Sequence, residues 1–180
     1  MAEQTGTTIW LTGLSGSGKT TIARELEKQL NIGGYTVQRL DGDIVRDKLA
    51  LNLKFTKKDR IKNIKINSFI ASLLTKNNII TICSFISPYN SSRNQARKEI
   101  EKVGKFIEVF VDAPLALCEE RDVKGLYKKA RKGIIKNFTG ISDPYEIPIN
   151  PEIRLKTGEE TVKESTEIII NYLKTNNFIR

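Results

Sequence analysis

The stretch Gly13-Leu14-Ser15-Gly16-Ser17-Gly18-Lys19-Thr20 decides the fold of this 180-residue chain. It matches the pattern G-x-x-x-x-G-K-[ST] at every fixed position. The run Thr8–Thr12 before it has the composition of a strand, and apolar side chains recur at helical spacing from Thr20 to Leu30. A phosphate-binding loop requires this strand–loop–helix context, because its glycines let the backbone curve until successive N–H groups point at an anion. The sequence therefore predicts a nucleoside triphosphate site.

Two side chains of this loop have specific expected roles. In loops of this pattern the lysine, here Lys19, reaches the outer phosphates, and the hydroxyl of Thr20 holds Mg²⁺. The start of the following helix adds the positive end of its dipole. We therefore expect Gly13–Thr20 to bind the triphosphate, with Lys19 as a catalytic residue and Thr20 as a metal ligand.

Strands and helices alternate along the chain, which predicts a single α/β domain over residues 1–180 with a mostly parallel sheet. Strands are predicted at about 7–12, 35–40, 79–85, 106–111 and 153–155. Helices are predicted at about 20–30, 44–51, 56–76, 92–103 and 115–121, with a last helix near the C-terminus. Three capping pairs are predicted to start helices: Thr56 with Asp59, Ser92 with Gln95, and Thr157 with Glu160.

Composition narrows the functional classes. Lysine and arginine outnumber aspartate and glutamate by 30 to 21, so the formal charge is +9. A basic surface is typical of nucleic-acid or membrane binding, but the lysines are spread along the chain and no nucleic-acid motif occurs. We therefore favour a lysine-rich face that serves small polyanionic substrates, with no nucleic-acid or membrane partner. No apolar run is long enough to span a bilayer and no secretory signal is visible, so we expect a cytoplasmic location.

The stretch 121–151 breaks the alternation of strands and helices. From Arg121 to Gly140 it holds seven bases and one acid. A long basic insertion in a phosphate-loop domain suggests a lid that closes over the nucleotide, excludes water and supplies charge in the transition state. The alternative is a basic surface loop, which is less common because long loops in compact domains are usually functional or disordered.

Two aspartates follow the predicted second strand. Ligands of open α/β sheets bind beyond the carboxyl ends of the strands, so we expect Asp41 and Asp43 to lie across from the terminal phosphate. Phosphoryl transfer to a hydroxyl needs a carboxylate that accepts the proton of the acceptor. We favour Asp43 as the catalytic and metal-binding carboxylate, with Asp41 as its support. The other role open to either residue is to cap the following helix.

Several further side chains suit an anionic aromatic ligand. Arg46 follows one helical turn after Asp43, and Arg60 and Asn63 share a face of the next helix, just after Phe55. Guanidinium forks bind phosphate or sulfate, and an aromatic ring can stack on a base. Ser87 follows the third predicted strand, where it either donates a hydrogen bond to the ligand or shapes the following turn.

With these residues, the chain resembles the adenylylsulfate kinases (APS kinases) of the P-loop kinase class over most of its length. The motifs that carry the resemblance are Gly13–Thr20, Asp41-Gly42-Asp43 with Val45-Arg46, Asp59-Arg60, Phe85-Ile86-Ser87-Pro88-Tyr89, Cys118-Glu119-Glu120-Arg121-Asp122, Lys124-Gly125-Leu126-Tyr127-Lys128-Lys129-Ala130-Arg131 and Phe138-Thr139-Gly140-Ile141. The phosphate loop alone indicates only a superfamily, whereas the last two motifs are highly specific.

The resemblance implies a three-layer P-loop kinase fold and transfer of the γ-phosphate of ATP, with Mg²⁺, to the 3′-hydroxyl of adenylyl sulfate. The products are 3′-phosphoadenylyl sulfate and ADP, in sulfate assimilation, and the enzyme is expected to be a homodimer. The adenine of adenylyl sulfate is expected between Phe55 and Phe138. The other implied substrate contacts are Asp41, Arg46, Arg60, Asn63, Ile86, Ser87 and Lys124, with Arg121 on the ATP side.

The implied catalytic set is Lys19, Asp43 and Ser87. The family's pattern also marks the Ser87 position as a phosphoserine. Direct in-line transfer needs only positioning and charge, so we expect no covalent step there.

Three other functions compete with this one. Another small-molecule kinase of the same fold, acting on a nucleotide or on shikimate, is separated only by the motifs within 121–141. A nucleotide-switched binding protein would need a guanine-recognising Asn-Lys-x-Asp motif, and the nearest run, Thr75-Lys76-Asn77-Asn78, lacks the aspartate. Nucleic-acid binding through the +9 charge predicts salt-sensitive retention on DNA.

Overall fold

A parallel sheet of five strands forms the centre of the protein. A computed structural model describes residues 3–42, 45, 53 and 56–180. The strands are β1 (Thr7–Thr12), β2 (Val37–Asp41), β3 (Ile80–Ser84), β4 (Lys105–Asp112) and β5 (Ile153–Lys156). Their order across the sheet is β2-β3-β1-β4-β5, and every pairing is parallel. The predicted α/β class with a mostly parallel sheet is confirmed.

The described helices occupy both faces of this sheet. They are α1 (Lys19–Ile32), α2 (Lys57–Lys76), α3 (Asn90–Ile100), α4 (Leu115–Arg121), α5 (Leu126–Arg131) and α6 (Val162–Thr175). The predicted helix over 44–51 falls, apart from Val45, outside the described residues. Within the described part of the chain, no helix has the length and apolarity that crossing a bilayer requires.

Alternating side chains of β1 divide the core into two layers. Ile9 and Leu11 face α1 and α6, where they pack with residues such as Leu26 and Ile169. Trp10 faces the other way, into a cluster that includes residues of α2 and α3 such as Ile64 and Ile100. This alternation is the period of two expected of a strand buried on both faces. The protein is therefore built in three layers, as the family resemblance implied.

The start of α3 differs from the sequence prediction. The helix begins at Asn90 rather than at the predicted cap Ser92, which lies inside the helix. The backbone N–H of Asn90 donates to a carboxylate oxygen of Glu146 at 2.6 Å. A side chain from the 121–151 stretch therefore satisfies this helix start, and the local Ser92–Gln95 pattern has no capping role.

The start of α6 also differs by one helical turn. The capping box is formed by Thr161 and Glu164, not by Thr157 and Glu160. Both pairs match the same sequence pattern, but the hydroxyl of Thr157 donates instead to the carbonyl of Ser17, at 2.8 Å. The predicted cap of α2 is confirmed, since the Thr56 hydroxyl accepts from the next turn of that helix.

Candidate active site

A cavity of about 1050 Å³ runs along the carboxyl ends of the strands, where the phosphate loop follows β1. Most of the predicted site residues line it: Ser15, Gly16, Gly18, Lys19, Thr20, Asp41, Arg60, Asn63, Ile86, Ser87, Arg121, Lys124 and Phe138. Gly13, Leu14 and Ser17 of the loop are not among its lining residues, and Leu14 instead lines a neighbouring groove. Asp43, Arg46 and Phe55 lie outside the described residues, so their roles stay predictions.

Two glycines with left-handed backbone let the phosphate loop bend tightly, and the loop's own lysine binds its carbonyl oxygens. Gly16 and Gly18 have φ angles of 75° and 102°, a region that favours glycine. The ammonium of Lys19 is largely buried and donates to the carbonyls of Gly13 (3.0 Å) and Leu14 (2.6 Å). Since the lysine binds carbonyl oxygens on one side of the loop, the curled conformation is held ready for an anion.

A carboxylate from β2 reaches the phosphate loop. Oδ2 of Asp41 accepts from the hydroxyls of Thr20 (3.5 Å) and Ser84 (3.4 Å), and it lies 3.4 Å from a guanidinium nitrogen of Arg39. Asp41 and Ser84 are register partners, and Ser84 pairs in turn with Leu11 at the end of β1. The three strand ends therefore bring these groups together although β3 separates β2 from β1.

These oxygens fit a magnesium ion. Mg²⁺ prefers oxygen ligands and is usually held by one or two carboxylates together with waters and substrate phosphates. Thr20 and Asp41 supply a hydroxyl and a carboxylate at the loop. Among the residues that the structure describes, no group of three or more histidine, cysteine, aspartate or glutamate side chains is arranged to hold a metal by itself.

Arg60 joins α2 to the 121–151 stretch. It is 6% exposed, and it donates to the carbonyl of Asn137 at 2.9 Å while its Nε lies 3.9 Å from Asp143. The Tyr89 hydroxyl donates to the same carboxylate at 2.6 Å. Burial, and then this hydrogen bond, raise the pKa of Tyr89 to about 12. The predicted substrate residues Arg60 and Asn63 are thus buried side chains that face the cavity.

The basic stretch covers the phosphate loop. From α5 the hydroxyl of Tyr127 donates to the carbonyl of Ser15 at 2.9 Å. Its ring packs edge-on against Phe138, with centroids 5.0 Å apart, inside a small buried cluster with Ala130 and Cys118. Phe138 is only 5% exposed, yet it also forms part of the cavity wall. A cover over the loop is what the sequence predicted, and its closure as a lid remains a prediction.

Arg121 lies beside the phosphate loop at the end of α4. Its guanidinium donates to the carbonyls of Gly16 (3.2 Å) and Thr157 (2.8 Å). Together with Lys19 and Lys124, it gives the cavity a positive wall that suits phosphate and sulfate groups.

Sequence reasoning missed two residues that shape the site. Thr157, which was predicted to cap a helix, follows β5 and holds the loop through Ser17. Trp10 lies in β1, and its indole N–H donates to the hydroxyl oxygen of Ser87 at 3.0 Å. The position of Thr157 just beyond a strand end was a usable signal. Nothing local in the sequence relates Trp10 to Ser87.

Comparisons of the sequence and of the fold with known proteins give consistent matches. A family model described as adenylylsulphate kinase matches residues 5–156. An adenylyl-sulfate kinase of Halothermothrix orenii is 62% identical over 179 residues, covering 99% of this chain and 95% of that protein. The solved Mycobacterium tuberculosis APS kinase in complex with AMPPNP and APS superposes with a TM-score of 0.92 at 41% identity, covering 96% of this chain and 99% of that one. A hexameric APS kinase from Thiobacillus denitrificans superposes with a TM-score of 0.76 at 36% identity, covering 99% of this chain but 30% of that one.

Proposed function

The chain belongs to the adenylylsulphate kinase family and is a kinase, and from this premise we propose that it transfers the γ-phosphoryl group of ATP to the 3′-hydroxyl of adenylyl sulfate. The observation that carries the proposal is one continuous cavity that is lined by two different groups of residues. The phosphate loop lines one part of it, and Arg60, Asn63 and Phe138 line the other. Its volume of about 1050 Å³ is at the upper end of pockets that hold a single drug-sized ligand, about 300–1,000 Å³. The two sets of lining residues support a donor site and an acceptor site within it.

The donor half works by charge and position. Phosphoryl transfer needs little covalent help from the protein, so catalysis comes from alignment and from stabilisation of charge on the transferred group. Lys19, with Arg121 beside it, supplies positive charge at the loop. Thr20 and Asp41, with Asp43 still the predicted further carboxylate, would hold Mg²⁺, which would supply positive charge beside the phosphates.

The acceptor half orients adenylyl sulfate. Arg60 and Lys124 suit its phosphosulfate, Asn63 suits its sugar, and the ring of Phe138 offers a face to its adenine. In the step itself, the 3′-oxygen forms a bond to the γ-phosphorus as the bond to the ADP oxygen breaks. The hydroxyl proton passes to a carboxylate, for which Asp43 remains our candidate. The basic cover formed by residues 121–151 excludes water, which would otherwise compete as acceptor.

The test measures ADP release with a choice of acceptors. The enzyme is incubated with ATP and Mg²⁺ and with adenylyl sulfate, AMP or shikimate in parallel reactions. We expect ADP release only in the reaction that contains adenylyl sulfate. Absence of turnover with adenylyl sulfate would refute the proposal, and turnover with AMP or shikimate would assign the fold to another small-molecule kinase. Tighter binding of GTP than of ATP would favour a nucleotide-switched protein.

We also propose that the chain forms a homodimer in the cytoplasm. Phe69 and Leu73, one turn apart on α2, are 55% and 47% exposed, and exposed apolar patches mark protein interfaces. The hexameric assembly named for the Thiobacillus denitrificans protein belongs to a longer chain, of which this one covers 30%. Light scattering on the purified chain should give twice the mass of one chain. A monomer would contradict the dimer.

A further inference from the structure

Every carbonyl of the cavity loop Ile86–Pro88 is held by a donor from another segment. The first accepts from the Thr12 hydroxyl at 2.8 Å, the second from Nη1 of Arg93 at 2.5 Å, and the third from the backbone N–H of Glu146 at 2.8 Å. Three successive carbonyls are thus fixed by β1, α3 and the 121–151 stretch. This loop, called here the Ser87 loop, has little freedom to change its shape.

Arg93 is the centre of that arrangement. It is 1% exposed and its Nε donates to Glu108 on β4 at 2.7 Å. Its Nη2 donates to the carbonyl of Glu146 at 2.6 Å and to the side chain of Asn90. A planar fork with five donors can serve all these acceptors at once, whereas an ammonium on a flexible stem cannot.

The backbone that Arg93 holds is an unusual one. Ser87 has a φ angle of 41° although it is not a glycine, a conformation that persists only where the surroundings over-determine it. Its hydroxyl oxygen accepts from the indole of Trp10 at 3.0 Å. Ile86 and Ser87 both line the cavity, and their backbone N–H groups donate to no acceptor within the described part of the chain.

We propose that Arg93 is a positioning residue for the acceptor: it fixes the Ser87 loop so that its two N–H groups are presented to the anionic part of adenylyl sulfate. The inference rests on the proposed function, since it takes adenylyl sulfate as the ligand of this half of the cavity. A bound anion needs donors that are already oriented, because orienting them during binding would reduce affinity. Arg93 itself is buried beneath the loop and acts through Ser87.

Arg97, one helical turn further along α3, provides a matched control. Its guanidinium also approaches Glu108, at 3.8 Å, and binds Glu152 at 2.7 Å, while its face covers the ring of Phe106. The hydrogen bonds described for it go to Glu101 and Glu152, not to the Ser87 loop. Replacing either arginine by lysine keeps a cation near Glu108. The two variants therefore make the same chemical change, but only Arg93→Lys affects a side chain that is bonded to the Ser87 loop.

The experiment measures steady-state kinetics and thermal unfolding for the wild type, Arg93→Lys and Arg97→Lys. We expect Arg93→Lys to raise the KM for adenylyl sulfate about tenfold, equivalent to about 1.4 kcal/mol, with the KM for ATP unchanged. Arg97→Lys should leave both KM values unchanged, even if it lowers the unfolding temperature as much as Arg93→Lys does. A merely structural role for Arg93 would instead move both KM values together, or neither, and either result would overturn the inference.

A binding measurement keeps the inference separate from turnover. Trp10 is the only tryptophan of the chain, and its indole contacts Ser87, so its fluorescence should change when adenylyl sulfate binds. The titration midpoint should shift about tenfold in Arg93→Lys, as does KM. If the wild type neither binds nor turns over adenylyl sulfate, the proposed function fails. If the wild type does both and Arg93→Lys matches it, only the inference about Arg93 fails.

Discussion

Replacing Phe138 tests whether its ring binds adenine or only stabilises the cover over the loop. The ring is 5% exposed and packs edge-on against Tyr127 at 5.0 Å. Truncating a buried phenylalanine to alanine removes about 3–5 kcal/mol of stability. Because Phe138 forms part of the cavity wall, the space left by its ring would be continuous with that cavity. We therefore expect a loss of stability near 3 kcal/mol, the lower end of that range. If the ring also stacks on adenine, Phe138→Ala should weaken binding of adenylyl sulfate by about 1–3 kcal/mol.

Phe138→Leu separates the two effects. Leucine keeps an apolar side chain against Tyr127, so the loss of stability should be about 1 kcal/mol. It has no aromatic face, so the dissociation constant of adenylyl sulfate should still rise about 5- to 150-fold, the equivalent of about 1–3 kcal/mol.

Calorimetric titration with adenylyl sulfate and urea unfolding measure the two quantities on the same samples. Tyr127→Phe, which keeps the neighbouring ring, serves as the control. Wild-type affinity in folded Phe138→Leu would refute stacking and leave Phe138 as a packing residue only.

Three further perturbations have defined outcomes. Lys19→Met should lower turnover about 100- to 1,000-fold, because a preorganised charge at the transferred phosphate is lost; near-normal turnover of the folded variant would remove Lys19 from the catalytic set. Thr161→Ala removes half of the capping box with Glu164 and should lower the free energy of unfolding by about 1 kcal/mol in urea; an unchanged value would contradict the cap. Because burial and Asp143 raise the pKa of Tyr89 from 10 to about 12, its neutral hydroxyl stabilises the fold below pH 10, and this contribution is lost as the pH rises through 12. Thermal melts should therefore show a smaller alkaline loss of stability for Tyr89→Phe than for the wild type, and equal losses would contradict the shift.

The sequence predicted those features that depend on local pattern. The octet Gly13–Thr20 lies between a strand and a helix, as its spacing indicated, because the glycines and the apolar periodicity act within a few residues. All five strands occur near their predicted positions for the same reason. The local pattern does not determine where the last helix starts, since Thr157 and Thr161 both begin the same capping pattern. In the folded chain the Thr157 hydroxyl donates to Ser17, 140 residues away, and Thr161 forms the cap.

The contacts within the candidate site depend on packing between distant segments. Sequence alone placed Asp41 at a strand end, but its approach to Thr20 depends on the insertion of β3 between β2 and β1. Trp10 and Ser87 are 77 residues apart, and their hydrogen bond joins β1 to a residue whose backbone is left-handed. No periodicity or motif encodes such a pairing.

The central claim is that one cavity aligns ATP with the 3′-hydroxyl of adenylyl sulfate. The most direct measurement follows the γ-phosphoryl group itself, with ATP radiolabelled at that position and adenylyl sulfate as acceptor. The label should appear in 3′-phosphoadenylyl sulfate and be released by a nucleotidase specific for the 3′-phosphate. Label found only in inorganic phosphate, or on any other position of the acceptor, would contradict the claim.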